Sequence, residues 1–594
     1  MDYVLLAIML SGSMGIGLYF AFSGGRQRTK VEYLLAERRM SALPVCMSLF
    51  ATFQSAIALL GVPTEIYRYG TMQVYNIVAM FLSQIIGMVT VIPLFYPLKI
   101  TSIYEYLKLR FESRVVQLFG AAVGVVSSIS YMTIALLTPA LALETAVSIP
   151  LWLSIVLIGV VGTVYTTLGG MKSVIWTDVF QTFVMFLGIF TVLVKGSMDA
   201  GGPEEVWTIG KATGRIEMDA TSLDPRTRHT VWNLCFGSLF YWLSTHFSQS
   251  SVQRIVSIKS MKDANKVFIF TIPITAIFIS VNAATGLVLT AYFYGIGCDP
   301  LEAGYIKNQN QLVPFFVLHT LRSLPGVAGL YISTVFSGAL STLSSGINSL
   351  AANAVEDFLS KPLERRSEKM ILTVTKLFVF MFGAVVIGLA FLAKEFQGPV
   401  TQMTYTCLGA TNGPLMGLFV LGATSAQANS IGALAGCSSG LLCSLWLAVG
   451  SFLYGYPAKT LEPGSTINCS ASDSVEDLPS STSSLLMYPD NDSLTRYLAN
   501  TTLSSTRSLE DTGLWIPPEH RVFSIYDLSY VWNPLIGMLV TVVVGFIMSI
   551  ISNHFLAKKP NPEPKLIFPF CRPCSKSRVY ALETEHQMET IGKA

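Results

Sequence analysis

Ser333, Ser337, Ser341, Ser344, Ser345 and Asn348 recur in one apolar segment at steps of three or four, which puts them on one face of a helix. A row of hydroxyl and carbonyl oxygens is the hard-oxygen surface that Na⁺ needs when it sheds its water. The same small residues also make a seam along which membrane helices approach closely. Both uses of the face stay open.

A second polar interruption is Thr52, Gln54 and Ser55, followed by Gly61 and Pro63. Pro63 removes a backbone donor, so carbonyls one turn earlier lose their partners. Either Ser and Thr hydroxyls satisfy a simple kink, or the helix breaks and presents its carbonyls to a wet cavity. A third is Asp178 in Trp176-Thr-Asp-Val-Phe-Gln181. An acid within an apolar span is costly and by default a functional candidate. Its alternative is an interfacial carboxylate one turn from water. Glu65, Glu144, Glu356 and Asp357 lie nearer span ends, and His246 reads as a packing residue. Apart from Arg68, Lys195 and Lys376, no basic residue is expected in the membrane core.

The elements that must position these groups are membrane helices. Hydrophobic residues form 52% of the 594-residue chain and charged ones 13%, against about 25% charged in soluble domains. Mean hydropathy is +0.54. The net charge of +3 points to no nucleic-acid partner. Apolar windows give about thirteen spans, at 3–22, 42–68, 75–98, 116–147, 151–169, 174–196, 230–252, 267–295, 324–357, 371–393, 402–423, 431–455 and 529–552. The first is expected to be retained as a helix and not cleaved as a signal peptide. The fold class is therefore an all-α polytopic membrane protein.

Alternate loops carry about 25 of the 39 Lys and Arg residues, which makes that side cytoplasmic. The N-terminus is then extracellular and the C-terminus cytoplasmic. The chain divides into a first helix with a basic loop (1–41), a helical unit (42–196), an extracellular loop (197–229), a second helical unit (230–455), an extracellular loop (456–528), a last span (529–552) and a tail (553–594). The long outer loop holds acceptor sequons at Asn468, Asn491 and Asn500. Of the nine cysteines, Cys298 and Cys469 clearly lie in outer loops and are a candidate disulfide, or else two free thiols. Cys571 and Cys574 form a lone C-x-x-C in the tail, for which an unstructured tail is the simpler reading. No phosphate-binding loop, zinc-protease motif or paired catalytic carboxylate occurs. The chain is not expected to be an enzyme, and transport through it would draw on an ion gradient or run downhill.

Span two, with Ala51-Thr-Phe-Gln-Ser-Ala56 and Leu60-Gly-Val-Pro-Thr-Glu-Ile-Tyr-Arg-Tyr-Gly70, resembles the sodium:solute symporter family. So do Thr163-Val-Tyr-Thr-Thr-Leu-Gly-Gly-Met-Lys172, Val174-Ile-Trp-Thr-Asp-Val-Phe-Gln181, Val252-Gln-Arg254 and Phe336-Ser-Gly-Ala-Leu-Ser-Thr-Leu-Ser-Ser345. The likeness is strongest to its animal branch of multivitamin, monocarboxylate and iodide transporters. The resemblance implies two inverted five-helix repeats with broken core helices. It also implies a sodium site of the Ala51, Gln54 and Ser341 carbonyls and the Ser344 and Ser345 hydroxyls, with Asp178 and Gln181 tied to coupling. Na⁺ is then the coupling ion and no other cofactor is expected.

Sugar-carrying members and the iodide carrier place Gln where Ala58 stands, and sugar carriers place Glu at Ile57. A sugar hydroxyl buried unpaired costs about 1–3 kcal/mol. The substitutions therefore favour a compact carboxylate, expected near Phe53, Ser55 and Ala58, with Tyr131, Tyr241 and Tyr405 as polar aromatic walls. The expected activity is sodium-coupled import of a monocarboxylate or carboxylate vitamin such as biotin or pantothenate, across the plasma membrane. The alternatives are a nutrient sensor on a transporter scaffold, or a symporter of iodide or a neutral polyol.

Overall fold

The computed structural model describes residues 2–22, 29–147, 149–320, 326–393, 399–455, 458–469, 524–555 and 560–571. Among them there is no strand, and helices build the molecule. The bundle consists of α1 (Asp2–Phe22), α2 (Ala42–Phe53), α3 (Ala56–Tyr69), α4 (Asn76–Phe95), α5 (Arg114–Val147), α6 (Leu151–Asp199), α7 (Ser238–His246) and α8 (Gln249–Val256). It continues with α9 (Met261–Ile296), α10 (Leu312–Thr320), α11 (Val327–Asn353), α12 (Glu368–Leu392), α13 (Val400–Thr424), α14 (Ser430–Tyr454) and α15 (Asn533–Asn553).

Among the described residues, 10 helices are long and apolar enough to cross a membrane, or up to 11 when the bent pair α2 and α3 counts as one span. Two places separate that figure from the expected thirteen. α6 runs 49 residues without an intervening loop but is kinked at Gly170, whose φ of 60° only glycine adopts at little cost. The segment expected as one span at 230–252 is instead a π-turn at Asn233–Gly237 followed by the short helices α7 and α8. α8 starts where the Ser248 hydroxyl accepts from the Ser251 amide.

The break in span two lies elsewhere than its proline suggested. Pro63 sits inside the continuous α3. The chain leaves the helix upstream, at Gln54 (ψ 75°) and the extended Ser55 (ψ −176°), and α2 and α3 meet at 58°. The Ser55 hydroxyl accepts from the Ile57 amide at 3.2 Å and so restarts the helix. A side-chain cap decides the position because it satisfies amides that the break orphans. Pro63 costs only the helix bond to the Leu59 carbonyl, and Thr64 Oγ1 donates to the next carbonyl, Leu60 O, at 2.7 Å.

α11 is the central element: all but a few of its residues are buried, and it packs against α5, α6 and both halves of the broken helix. Gly338 permits the close approach to the break, since a methyl group there would stand 2.7 Å from the Ala56 nitrogen and 3.0 Å from the Ser55 carbonyl carbon. Backbone cannot yield as a flexible side chain can. Gly338→Ala is therefore expected to destabilise by about 1–3 kcal/mol, seen as a lower melting midpoint of the purified protein. An unchanged midpoint would show that this contact does not hold the break.

Cys298 and Cys469 are joined by a disulfide, with Cα atoms 5.0 Å apart, that ties the turn after α9 to residues 458–469. Asn468 beside it is exposed. Asn491, Asn500 and Cys574 lie outside the described residues.

Candidate functional site

Asp178 lies on α6 beyond the Gly170 kink and has no exposed surface. The alternative of an interfacial acid reaching water does not hold, since helices α2, α8 and α11 cover Asp178. Ser48 Oγ donates to its Oδ2 at 2.5 Å, Ser341 Oγ to its Oδ1 at 2.7 Å, and Arg254 Nη2 to Oδ2 at 3.3 Å.

Arg254 overturns the expectation that the core lacks a basic residue. Its side chain is 1% exposed, because the break between α7 and α8 folds the end of that segment back into the bundle. Arg254 Nε donates to Ser48 Oγ at 2.8 Å, Nη1 to the Ser250 carbonyl at 3.0 Å, and Nη2 also to Ser345 Oγ. Arg110 is likewise buried, its guanidinium spent on the carbonyls of Gly422, Ser425 and Ala428 at the end of α13.

The serine face of α11 closes the cluster. Ser345 Oγ lies 2.9 Å from Thr52 Oγ1, and Thr342 Oγ1 donates to the Thr52 carbonyl at 3.2 Å. Ser344 Oγ donates to the Ser341 carbonyl at 3.1 Å. The structure therefore brings the serine stripe, Asp178 and the broken helix to one place. At the break, the Ala51 and Gln54 carbonyls accept no backbone amide among the described residues. The buried Oε1 atoms of Gln54 and Gln181 are also unpartnered, while Gln181 Nε2 donates to Ser13 Oγ of α1 at 3.2 Å. Free carbonyls, hydroxyls and one carboxylate in a dry setting are a donor set that suits Na⁺.

A narrow cavity of about 60 Å³ adjoins this cluster. Thr52, Phe53, Tyr131, Tyr241, Trp242 and Thr342 line it, and it extends toward Tyr104 and Gln249. Thr52 and Thr342 belong to both the cavity wall and the polar cluster. Of the expected substrate residues, Phe53, Tyr131 and Tyr241 line the cavity. Tyr405 stands behind Tyr241, with stacked rings 3.8 Å apart, and its hydroxyl accepts from Asn76 Nδ2 at 2.8 Å. Ser55 is occupied in its cap, and Ala58 packs with the Phe50 and Phe278 cluster; neither lines the cavity.

The opposite end of the broken helix is shut by charge. Arg228 Nη2 donates to Glu65 Oε1 at 2.9 Å and Oε2 at 3.1 Å, and Nη1 to Gln402 Oε1 at 2.7 Å. The guanidinium lies 4.1 Å from the Tyr69 ring centre and 5.0 Å from that of Tyr530. Ser529 Oγ donates to the Arg228 carbonyl at 3.1 Å, which fastens the loop to the start of the last span. Burial and the Arg228 charge hold His229 well below the usual imidazole range, so it adds no second cation.

Sequence reasoning singled out Thr52 within the polar interruption but missed Ser48, Arg254 and the Glu65–Arg228 pair as site residues. Arg254 had a signal in Val252-Gln-Arg254, but its position beside basic residues assigned it to a loop.

A profile described as the sodium:solute symporter family matches residues 33–440. The sodium-dependent multivitamin transporter of Oryctolagus cuniculus is 38% identical over 96% of this chain and 84% of its own length. The sodium/iodide cotransporter of Homo sapiens is 36% identical over 93% and 83%. The human sodium-coupled monocarboxylate transporter 1 is 36% identical over 95% and 89%. In fold, the chain is similar to a Na⁺-coupled sialic acid symporter solved in a substrate-bound outward-open state, with a TM-score of 0.67 and 22% identity over 94% of this chain and 99% of that one.

Proposed function

Because the chain belongs to the sodium:solute symporter family, and is therefore a Na⁺-coupled solute carrier and not an enzyme, we propose that its solute is a small organic anion. A monocarboxylate or a carboxylate-bearing vitamin fits best, imported across the plasma membrane by alternating access. The observation that carries this reading is the cavity itself. Its walls carry the aromatic rings of Phe53, Tyr131, Tyr241 and Trp242 beside hydroxyls and amides such as Ser127, Ser128, Thr245, Gln249 and Asn412, no charged side chain among the described residues lines it, and it touches the polar cluster through Thr52 and Thr342. Such a space, next to the assigned ion, suits a small solute whose carboxylate takes the hydroxyl and amide donors while its apolar body lies on the rings. At about 60 Å³ it has room for a small monocarboxylate as it stands, and a vitamin enters only when the walls move.

The sodium ligands in this reading are the Ala51, Gln54 and Ser341 carbonyls and the Ser344 and Ser345 hydroxyls, with Asp178 and Gln181 behind them. Na⁺ supplies positive potential next to the cavity, where no lining side chain is basic. The amides opening α3 at the break add a helix N-terminus. The units 42–196 and 230–455 form the inverted repeats, and each begins with a broken helix, α2/α3 and α7/α8. The 458–469 segment with Asn468 faces outward, and the Glu65 end of the bundle is the extracellular one.

Uptake measured in Na⁺ against choline medium, with pyruvate, biotin, pantothenate, iodide, glucose and myo-inositol as competitors, tests the class. At least one carboxylate is expected to compete. Competition by glucose or myo-inositol and by no carboxylate would overturn the anion reading. Inhibition by iodide alone would move the assignment to an inorganic anion, the solute named for one of the relatives.

A further inference from the structure

Arg254 holds two of the side chains assigned to the ion, Ser345 and Asp178. Its Nη2 donates to both Asp178 Oδ2 and Ser345 Oγ, and its Nε to Ser48 Oγ, which itself donates to Asp178. A hydroxyl lone pair turned to a guanidinium N–H is not available to a metal ion. Charge makes the conflict sharper. The cluster is wholly buried, and the single carboxylate of Asp178 balances one cation, not two. Guanidinium and Na⁺ within a few ångströms would repel with no water to screen them.

The geometry also supplies a way out. Arg254 sits on α8, a short helix separated from α7 by the break at Phe247 and Ser248, so it can shift without moving α7. The same helix carries Gln249 and Ser250, which line the cavity. Ser250 Oγ meets Ser349 Oγ of α11 at 2.9 Å, and its carbonyl accepts from Arg254 Nη1.

We infer that Arg254 is a tethered substitute for Na⁺: it competes with the ion for Ser345 and Asp178, so ion entry withdraws the guanidinium and displaces α8 along the cavity wall. This rests on the assignment of Ser345 to the ion site. When Na⁺ leaves, the guanidinium returns and neutralises Asp178, which lets the carrier reorient without an ion. The short helix thereby converts an exchange of cations into a change at the solute cavity.

The test is Na⁺ binding by the purified full-length protein, read as the Na⁺ concentration for half-maximal thermal stabilisation, with N-methyl-glucamine as the replacing cation. If the guanidinium leaves the oxygens only about a tenth of the time, Arg254→Gln should bind Na⁺ about tenfold more tightly. Arg254→Lys keeps the charge but cannot span Ser48, Asp178 and Ser345 together, and should shift the midpoint the same way by less. Ser344→Ala is the control and should weaken Na⁺ binding in any background. A weakened control with Arg254→Gln and Arg254→Lys unshifted, or shifted to weaker binding, would overturn the substitution mechanism alone. A control that leaves Na⁺ binding unchanged would remove the site assignment and the mechanism with it. Should Arg254→Gln not be recovered folded, an unshifted Arg254→Lys is by itself enough to overturn the proposal.

Discussion

Asp178→Asn should yield a protein that Na⁺ no longer stabilises and that melts well below the parent. The substitution strips the counter-charge from Arg254, whose side chain is 1% exposed. Breaking a buried pair by removing one partner costs about 3–5 kcal/mol, since an uncompensated charge stays in the core. Added Na⁺ cannot help, because it would place a second cation beside the first. The converse variant differs in kind: in Arg254→Gln the orphan is an anion, which Na⁺ can neutralise. Its melting deficit should therefore shrink as Na⁺ is added, while that of Asp178→Asn should not. The double variant Asp178→Asn/Arg254→Gln removes both charges and should recover much of the lost stability, a coupling that a double-mutant cycle measures. Equal Na⁺ responses in the parent and Asp178→Asn would show that Asp178 takes no part in holding the ion.

Glu65→Gln should open the far end of the broken helix. Glu65 is 2% exposed and accepts the fork of Arg228, whose side chain is 10% exposed. Gln keeps the shape and one acceptor but no charge, so the guanidinium loses its counter-charge and half of its fork and is left with one amide oxygen, Gln402 and the faces of Tyr69 and Tyr530. Loss of the counter-charge again costs about 3–5 kcal/mol, and the contacts with the Tyr69 and Tyr530 rings, made in both proteins, do not offset it. The local consequence is release of residues 224–230 and the start of the last span from α3, while Arg215 Nε, donating to the Tyr67 carbonyl, keeps the earlier part of the loop in place. Val400→Cys reports it. Val400 is 5% exposed and packs against Ile57, inward of Glu65 on the same broken helix. A membrane-impermeant maleimide should label that cysteine about tenfold faster when Glu65→Gln is present, the change expected for roughly 1.4 kcal/mol of shifted equilibrium. Arg228→Lys should behave similarly, because an ammonium cannot bond Glu65 and Gln402 in one plane. Unchanged labelling and melting in both variants would mean that packing, not the ion pair, shuts this end.

Local regularities told a good deal. Composition placed the chain in lipid, because a surface with so few charges has no stable arrangement in water. Helical periodicity put Ser333, Ser337, Ser341, Ser344, Ser345 and Asn348 on one face, and the structure places that face in the centre of the bundle. An acid in an apolar run marked Asp178, because burying a carboxylate in a span is costly enough to demand partners. These inferences use side chains a few residues apart or a property of one residue, and no fold is needed to make them. The position of the break was also written locally, in a Ser two residues before the amide it caps, but proline drew attention downstream because breaking and capping compete in the same stretch.

Only the tertiary structure decided which charges meet. Arg254 and Asp178 are 76 residues apart and Arg228 and Glu65 are 163 apart, and no periodicity connects such positions. An isolated buried arginine is indistinguishable in sequence from a loop arginine until a broken helix turns it inward. The cavity was decided the same way. Phe53 and Ala58 sit close on one chain, yet the 58° bend between α2 and α3 directs the first to the cavity and the second into the Phe50 and Phe278 cluster. A helix fixes which residues share a face, whereas a bend between two helices fixes where each face points, and that angle is set by packing against elements far along the chain.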